Sequence, residues 1–418
     1  MPSPRSAFVS MLILAAAGSA CDGASAAKMA DSASDTTDAG QCTPIETRDP
    51  NAADQSPAFE GQTRVCSVKS STEFDVVVVA RGLEFPWSVE PLADGNLLVT
   101  EKPGRLRIVS AAGEIGQPIS GLPEVAARGQ GGLLDVALSP SFDTDRTIYW
   151  SFSEPRDEGN ATSVARGVLS ADRSSLSDVR VIFRSLPSFD GGQHFGSRLA
   201  FAPDGKLFIT LGERSDRSMR PQAQQMDSHL GKIIRINPDG SVPEDNPFVG
   251  QEGARPEIWS LGHRNVQAAA IDADGRLWEV EHGTRGGDEL NLVEKGKNYG
   301  WPITAYGIEY SGQPIPDATT TRDGTEQPVY YWDPVIAPSG AQFYSGDAFP
   351  EWKGNLFVGG MKDKRLVRLV IENERVVGEE HLLTDRDQRV RDVRQGPDGA
   401  LYMVTDQENG ELWKLVPR

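Results

Sequence analysis

Six times along the chain a tight polar turn opens a short apolar or aromatic run. Asp94-Gly95 precedes NLLVTE, Asp145-Arg146 precedes TIYWSFS, and Asp204-Gly205 precedes KLFITLGE. Asp274-Gly275 precedes RLWEVEHG, Lys353-Gly354 precedes NLFVGG, and Asp398-Gly399 precedes ALYMVTD. Asp-Gly supplies the positive φ angles that a tight hairpin turn needs, so each copy predicts two antiparallel strands. The Asp145 copy lacks its glycine. A third strand follows most copies: GRLRIV (104–109), GKIIRIN (231–237), DELNLV (288–293), KRLVRLVI (364–371) and GELWKLV (410–416). No sustained amphipathic helix interrupts them. Six irregular sheet repeats predict an all-β fold, a six-bladed β-propeller of four-stranded antiparallel blades. A single blade cannot bury both faces of its sheet, so the ring is the stable unit. FDVVVVA (74–80) lies outside the six hairpins and is predicted to add the outer strand of the last blade, closing the ring. A β-sandwich, or two smaller β domains, is the competing arrangement.

The first residues follow a different pattern. Arg5, an apolar run from Ala7 to Ala17, then Gly18, Ser19 and Ala20 read as an export signal over 1–20, too short in its apolar part to span a bilayer. Cys21 follows directly, as in a bacterial lipoprotein cleavage site, although Gly18 stands where that motif usually carries Leu. Lipid anchoring at Cys21 and plain cleavage with release both stay open, and either predicts an exported, periplasmic protein. Residues 21–58 are rich in Ala, Ser, Asp and Thr without apolar periodicity, and are expected to be a disordered or tethering linker. The folded domain is expected over 59–418. In an exported chain the two remaining cysteines, Cys42 and Cys66, are expected to pair and pin the linker's end; two free thiols are the alternative. There is no C-x-x-C and no Cys/His cluster, which argues against a cysteine zinc site.

Composition sharpens the picture in two ways. The 43 glycines and 28 prolines suit a turn-dense all-β chain. A net charge of −18 argues against nucleic acid as a partner and against electrostatic adhesion to an anionic membrane. Against that background the polar strand ends stand out. In a propeller, the loop entering each first strand and the loop leaving each second strand share one face. Before first strands lie Gln130, His194, Arg264 with Asn265, Ser339, and Arg389 with Arg391. After second strands lie Glu101 with Lys102, Glu213 with Arg214, Glu281 with His282, Lys362, and Asp406. Each has an ordinary reading by itself: a solvent-facing histidine, a solvated strand edge, a capped turn. Together, Arg264, Lys362, Arg389 and Arg391 on one axis call for an anionic ligand, and a planar polycarboxylate suits the guanidinium fork.

Six segments that carry these residues resemble a known family: GQGGLLDVALSP (129–140), GGQHFGSRLAF (191–201), EIWSLGHRN (257–265), EHGTRGGDELN (281–291), GKNYGWP (296–302) and RVRDVRQGPDG (389–399). From about Phe85 to Arg418 the chain is similar to the soluble PQQ-dependent aldose sugar dehydrogenases of the glucose/sorbosone dehydrogenase family. The resemblance implies a six-bladed propeller holding pyrroloquinoline quinone (PQQ) and calcium, and oxidation of an aldose at its anomeric carbon to a lactone. It implies His194 as general base and Arg264 as the residue that stabilises developing negative charge. Gln130, Arg264, Asn265, Tyr310, Gly360, Lys362, Arg389 and Arg391 are the implied cofactor contacts. Glu213, with Gln130, is implied on the sugar side. The carbonyls of Gly283 and Thr284 are implied ligands of a cofactor-bound calcium, and Glu289 with the carbonyl of Tyr299 of a second, structural one; oxygen ligands suit calcium. Two departures are visible: Val266 stands where relatives commonly have Pro after Arg-Asn, and Thr284 where they often have Pro. The implied partners are an aldose substrate and an electron acceptor such as a cytochrome or the quinone pool. Two other functions fit a polar propeller axis: a calcium-dependent lactonase-type hydrolase, and a non-catalytic secreted sugar-binding propeller.

Overall fold

The computed structural model describes residues 42–418; the leader, Cys21 and the first part of the expected linker lie outside the described residues. Six antiparallel sheets form a ring. Blade 1 comprises Pro86–Pro91, Leu97–Glu101 and Arg105–Val109, and blade 2 Leu133–Leu138, Thr147–Arg156, Gly159–Leu169 and Leu176–Arg184. Blade 3 is built from Leu199–Phe201, Leu207–Thr210, Lys232–Ile236 and Ile258–Leu261, and blade 4 from Val266–Ile271, Leu277–Glu281, Asp288–Val293 and Tyr330–Trp332. Blade 5 has Pro338–Phe343, Leu356–Gly360, Arg365–Glu372 and Arg375–Leu382; blade 6 has Val390–Gln395, Leu401–Thr405 and Gly410–Pro417. Its outer strand is Phe74–Leu83, which pairs with Gly410–Pro417 from Phe74 opposite Pro417 to Leu83 opposite Gly410. First and last strands of the ring thus share one sheet, which closes it. Each of the six predicted turns lies where a second strand begins, and all five predicted third strands are present.

Blade 1 departs from the four-stranded pattern. Its ladder ends at three strands, and residues 114–119 run beside Arg105–Val109 with only irregular bonds. Gly116 N donates to Ile108 O at 2.8 Å and Ile119 N to Leu106 O at 2.8 Å, and Val109 bridges Ile115. Pro118 has no N–H to continue a regular ladder.

Neighbouring first strands pack side by side around the axis, and Val390–Gln395 packs back on Pro86–Pro91. The apolar clusters lie between blades. Trp150, Leu98 and Leu106 fill the space between blades 1 and 2; Tyr149, Ile209 and Ile258 that between 2 and 3; Trp278, Leu356 and Val376 that between 4 and 5. Second strands are buried along their whole length in five of the six blades, as in Leu97–Glu101 and Leu401–Thr405, and Thr147–Arg156 of blade 2 is buried over its first seven residues. A sheet covered on both faces reads as a continuous apolar run, which is why the second strands were the clearest signals in the sequence. Among the described residues the only α-helix is Phe142–Asp145, and no helix is long and apolar enough to cross a membrane.

Among the described residues, the compact unit already includes Cys42, ahead of the expected start at 59. Residues 42–58 form a strap on blades 4 and 5 instead of a free linker. Cys42 and Cys66 are joined by a disulfide, and Pro44 bridges Cys66. One carboxylate, Asp333, accepts the backbone N–H of Asn51 and of Ala52, both at 2.9 Å. Gln55 Nε2 donates to Gly307 O at 3.0 Å. The strap's polar composition hid this, because its backbone donors are satisfied by side chains of distant loops, which leave no periodicity in the strap itself.

Five of the six first strands carry a register shift close to their entry end, between Pro86/Ser88, Leu133/Val136, Val266/Ala268, Pro338/Ala341 and Val390/Asp392. A bulge inserts an unpaired residue and re-aims its side chain. The inserted residues include Trp87, Leu134, Gln267 and Arg391, and all four line the cavity on the axis.

Candidate active site

His194 stands on the loop entering blade 3, with φ of +50°. Its backbone N–H donates to Gln130 Oε1 at 2.8 Å, which ties blade 2's entry loop to it. The next loop comes in closely: a Cβ on Gly212 would lie 2.3 Å from His194 O, so only glycine fits there. Glycines near the histidine serve the same close packing. A Cβ on Gly129 would meet Gly192 O at 2.3 Å, and Gly192 O accepts Gln130 N at 2.7 Å. The glycines flanking His194 serve contact between loops.

Past Gly212, Glu213 turns back beneath the imidazole. His194 Nδ1 lies 3.1 Å from Glu213 Oε2, and both side chains are buried. Glu213 Oε2 also accepts Ser215 N; Oε1 is buried with no partner among the described residues. Burial pushes the histidine below its ordinary value; Glu213 opposes this, and Arg264 and Arg220 reinforce it. Burial also works to raise Glu213, but His194, Arg264 and the Ser215 N–H outweigh it and hold the carboxyl below its usual range. The pair is therefore an ionised carboxylate beside a neutral imidazole whose proton sits on Nδ1. Nε2 is left as a lone-pair acceptor.

Arg264 and Asn265 enter blade 4. Their backbone N–H groups both donate to Glu281 Oε2, at 2.5 and 3.2 Å. The Arg264 guanidinium lies 5.2 Å from the Trp301 ring centroid, donates to His282 O at 3.0 Å and also to Gly283 O. Its Nε is buried without a partner among the described residues. Asn265 Oδ1 accepts Gly196 N at 3.1 Å, locking the strand entry to the histidine loop. His282 is pushed down to about 3, first by burial, and its Nε2 donates to Pro338 O at 2.6 Å.

The axial cavity measures about 210 Å³ and is lined by Gln130, Asn265, Arg389, Arg391, Lys102 and Asp406, with Trp87, Gln267 and Met361. The Arg391 guanidinium lies 4.2 Å from the Trp87 ring centroid and donates to Gln267 Oε1 at 2.9 Å. Burial lowers it to about 10, which leaves it cationic. Arg389 pairs with Asp406 at 2.6 Å. Lys102 Nζ donates only to Gly129 O, at 3.1 Å. Three cations against one carboxylate make this cavity an anion site. On the same Trp87 ring lies Arg198, 4.5 Å from the centroid, paired with Asp135 at 2.8 Å and Asp392 at 3.1 Å.

The structure thus brings together Gln130, Asn265, Arg389 and Arg391 around the cavity, with His194, Glu213 and Arg264 joined to it through Gln130 and Asn265. Tyr310 is 67% exposed at the rim, its Oη 3.5 Å from Arg264 Nη2. Two expected contacts do not line this cavity. Lys362 is exposed and outside the lining, held only by its backbone N–H on Ile336 O. Gly360 is buried inside its strand between Pro338 and Arg365. Gly360 is the last residue of its strand, and Lys362 follows it by two. Trp87, Gln267, Met361 and Trp301 were missed. The first two are inserted at bulges, which no alternation pattern reveals, and the others act as apolar supports for guanidinium groups.

Beside Arg264, Glu281, Gly283, Glu289 and Tyr299 line a second, small void of about 10 Å³, the size of one water or ion. Glu289 is raised well above the carboxylate range, first by its surroundings of protein, then by Glu281 and Glu279. Gly283 O is engaged by Arg264, so a cation on that carbonyl must displace this bond. Thr284 Oγ1 is buried without a partner among the described residues.

The family model described as Glucose / Sorbosone dehydrogenase matches residues 83–414. The chain is 47% identical over 348 residues to the aldose sugar dehydrogenase YliI of Escherichia coli, covering 82% of this chain and 93% of that protein. Its fold matches the crystal structure of the soluble aldose sugar dehydrogenase from Escherichia coli in the apo-form, with a TM-score of 0.80 and 46% identity, covering 83% of this chain and 100% of that one. It also matches the PQQ-bound form of an aldose sugar dehydrogenase from Streptomyces coelicolor, with a TM-score of 0.68 and 29% identity over 84% and 100% of the two chains. A six-bladed propeller with a histidine–carboxylate pair beside an arginine-lined axis defines the class, and the chain belongs to the glucose/sorbosone dehydrogenase family of oxidoreductases.

Proposed function

We propose that this protein oxidises aldose sugars at the anomeric carbon to lactones, using PQQ and calcium. The observation that carries the reading is His194: buried, neutral, held through Nδ1 by Glu213, with Nε2 free beside a cation-lined axial cavity. The cavity suits a flat polycarboxylate. Arg389, Arg391 and Lys102 supply charge, Gln130 and Asn265 supply amide groups, and Trp87 keeps Arg391 in place from below. The unpartnered Nε of Arg264 and the polar void at Gly283 support a cofactor and a cation on that side. Glu289 and the carbonyl of Tyr299 suit a structural calcium, since a cation there offsets carboxylates that burial and mutual repulsion disfavour. When bound, PQQ supplies a quinone carbonyl carbon that accepts hydride, and calcium supplies a Lewis acid.

The chain's own residues then divide the work. His194 Nε2 takes the proton of the anomeric hydroxyl as the C–H electron pair departs and the C=O bond forms. Glu213 orients the ring and stabilises the imidazolium that results. Arg264, anchored on Trp301, faces the charge that develops. The two electrons leave to an acceptor such as a cytochrome or the quinone pool. The leader places the enzyme in the periplasm, released or anchored through Cys21.

Reconstitution tests this. Purified protein should be inactive and should reduce an artificial dye with aldoses once PQQ and calcium are added. No gain across a panel of aldoses sinks the proposal. A calcium-dependent lactone hydrolysis indifferent to PQQ would move the assignment to a hydrolase, which the cationic axis disfavours.

A further inference from the structure

Behind the Arg264–Asn265 pair lies a cluster that the proposed reaction does not use. His263, Glu279 and Glu281 each offer one ligand atom, and these atoms lie within 4.8 Å of one another, all buried. His263 Nδ1 is 3.4 Å from Glu281 Oε1 and 3.6 Å from Glu279 Oε1. These spacings are long for charge-assisted hydrogen bonds, which run to about 2.9 Å. They match the edge of a tetrahedral site, about 3.4 Å for bonds near 2.1 Å. The other ring nitrogen, Nε2, is 2.8 Å from Ser260 Oγ, the outer contact that aims a ligating imidazole. The ring stacks on Tyr299 at 4.8 Å between centroids, so Nδ1 cannot swing away.

Two further atoms point to a ligand. Glu279 Oε2 and Asn291 Oδ1 are both buried and both lack a partner among the described residues, although Asn291 Nδ2 donates to Glu279 Oε1 at 2.7 Å. Leaving such atoms unpaired is costly. Charge points the same way. Glu279, Glu281 and Glu289 share one buried region, and a calcium at Glu289 offsets only part of it. We infer that His263 Nδ1, Glu279 and Glu281 Oε1 bind a divalent transition-metal ion, separate from the oxygen-only calcium position at Glu289 and Tyr299. Imidazole with carboxylates suits zinc, cobalt or nickel, whereas calcium takes oxygen ligands. The metal braces the active site from behind. Glu281 holds it through Oε1 while Oε2 carries the backbone N–H groups of Arg264 and Asn265. The site is closed to solvent, so the ion enters as the chain folds.

The inference stands independently of the cofactor reading, and its test reads metal directly. The full chain is produced in calcium-depleted medium supplemented with cobalt and gel-filtered into chelator-free, metal-free buffer. About one cobalt per chain is expected, with the visible absorption of a four-coordinate ion. His263→Ala and, as a milder change, Glu279→Gln should each lose the ion, while Glu289→Gln keeps it. Folding is checked by circular dichroism. Wild-type protein that carries less than about a tenth of an ion per chain overturns the proposal, as does a folded His263→Ala variant that binds as much as wild type. In either case the cluster is an imidazolium shared between glutamates. Dye reduction with PQQ and calcium, measured on the same samples, separates failure of this site from failure of the catalytic reading.

Discussion

The two polar regions on the axis are built with opposite charge. In the axial cavity the cations Arg389, Arg391 and Lys102 face a single carboxylate, Asp406. A few residues away, beyond Arg264, Glu279 and Glu281 face a single imidazole, His263, and Glu289 adds a further carboxylate beside them. Neither region balances itself, and burial makes imbalance expensive. One therefore calls for an anion and the other for cations. Arg264 and Asn265 form the wall between them, with side chains toward the catalytic side and backbone N–H groups on Glu281. Under the proposed function, this shared wall would let a protein of net charge −18 hold an anionic cofactor: the negative charge behind the wall would be met by metal, and the positive charge in front would stay available.

The comparison can be broken from either side. The largest effect is expected from His194→Ala, which should lower kcat by about 10²–10⁴, the usual span of general acid–base catalysis, while a PQQ titration shows binding intact. Full activity in this variant removes the general-base role. Arg391→Ala should weaken PQQ binding by roughly 10- to 100-fold, from the loss of about 1.5–3 kcal/mol for a charged hydrogen bond. Arg391→Lys should not restore it, because an ammonium cannot reproduce both the fork and the contact with Trp87. Equal affinity in both variants would place the cofactor's acidic groups elsewhere.

On the opposite side, stripping calcium should lower thermal stability. At a calcium concentration about 100 times its Kd the ion contributes roughly 2.7 kcal/mol. Glu289→Gln should make the melting temperature insensitive to calcium, and a variant that still responds would move the site. The smallest effect concerns pH. Only neutral His194 can accept a proton, so kcat/KM falls as the pH drops through its pKa, which burial sets below the ordinary imidazole value. Glu213 works to raise that pKa. In Glu213→Gln the acid limb should therefore move to lower pH, with a reduced plateau. A limb that moves to higher pH contradicts the assigned pair.

Much of this arrangement was readable before any coordinates. The turns at Asp94, Asp204, Asp274 and Asp398 mark real hairpins because Asp-Gly prefers one local geometry wherever it occurs. His194, Glu213, Arg264 and Arg391 were found because strand ends on one propeller face must converge. Lys362 was placed on the same face by the same rule but is exposed and outside the cavity lining, since position after a strand does not tell which way a side chain points. Trp87 and Gln267 escaped because bulges break the two-residue alternation on which strand reading depends. The strap at 42–58 escaped because its contacts belong to Asp333 and Gly307, hundreds of residues away.

What the sequence determined by itself is local: turn geometry, apolar second strands, the cysteine pair, and which polar residues end each strand. Short-range preferences act on neighbours in the chain and need no ring to be expressed. What only the tertiary structure decided is long-range: which cations share a cavity, that Glu213 lies under His194, that Trp87 supports both Arg198 and Arg391, and that two glutamates from blade 4, Glu279 and Glu281, gather on His263. Those outcomes depend on blade closure and on bulges that turn side chains inward, and the electrostatic cost of each grouping exists only once the ring has excluded water.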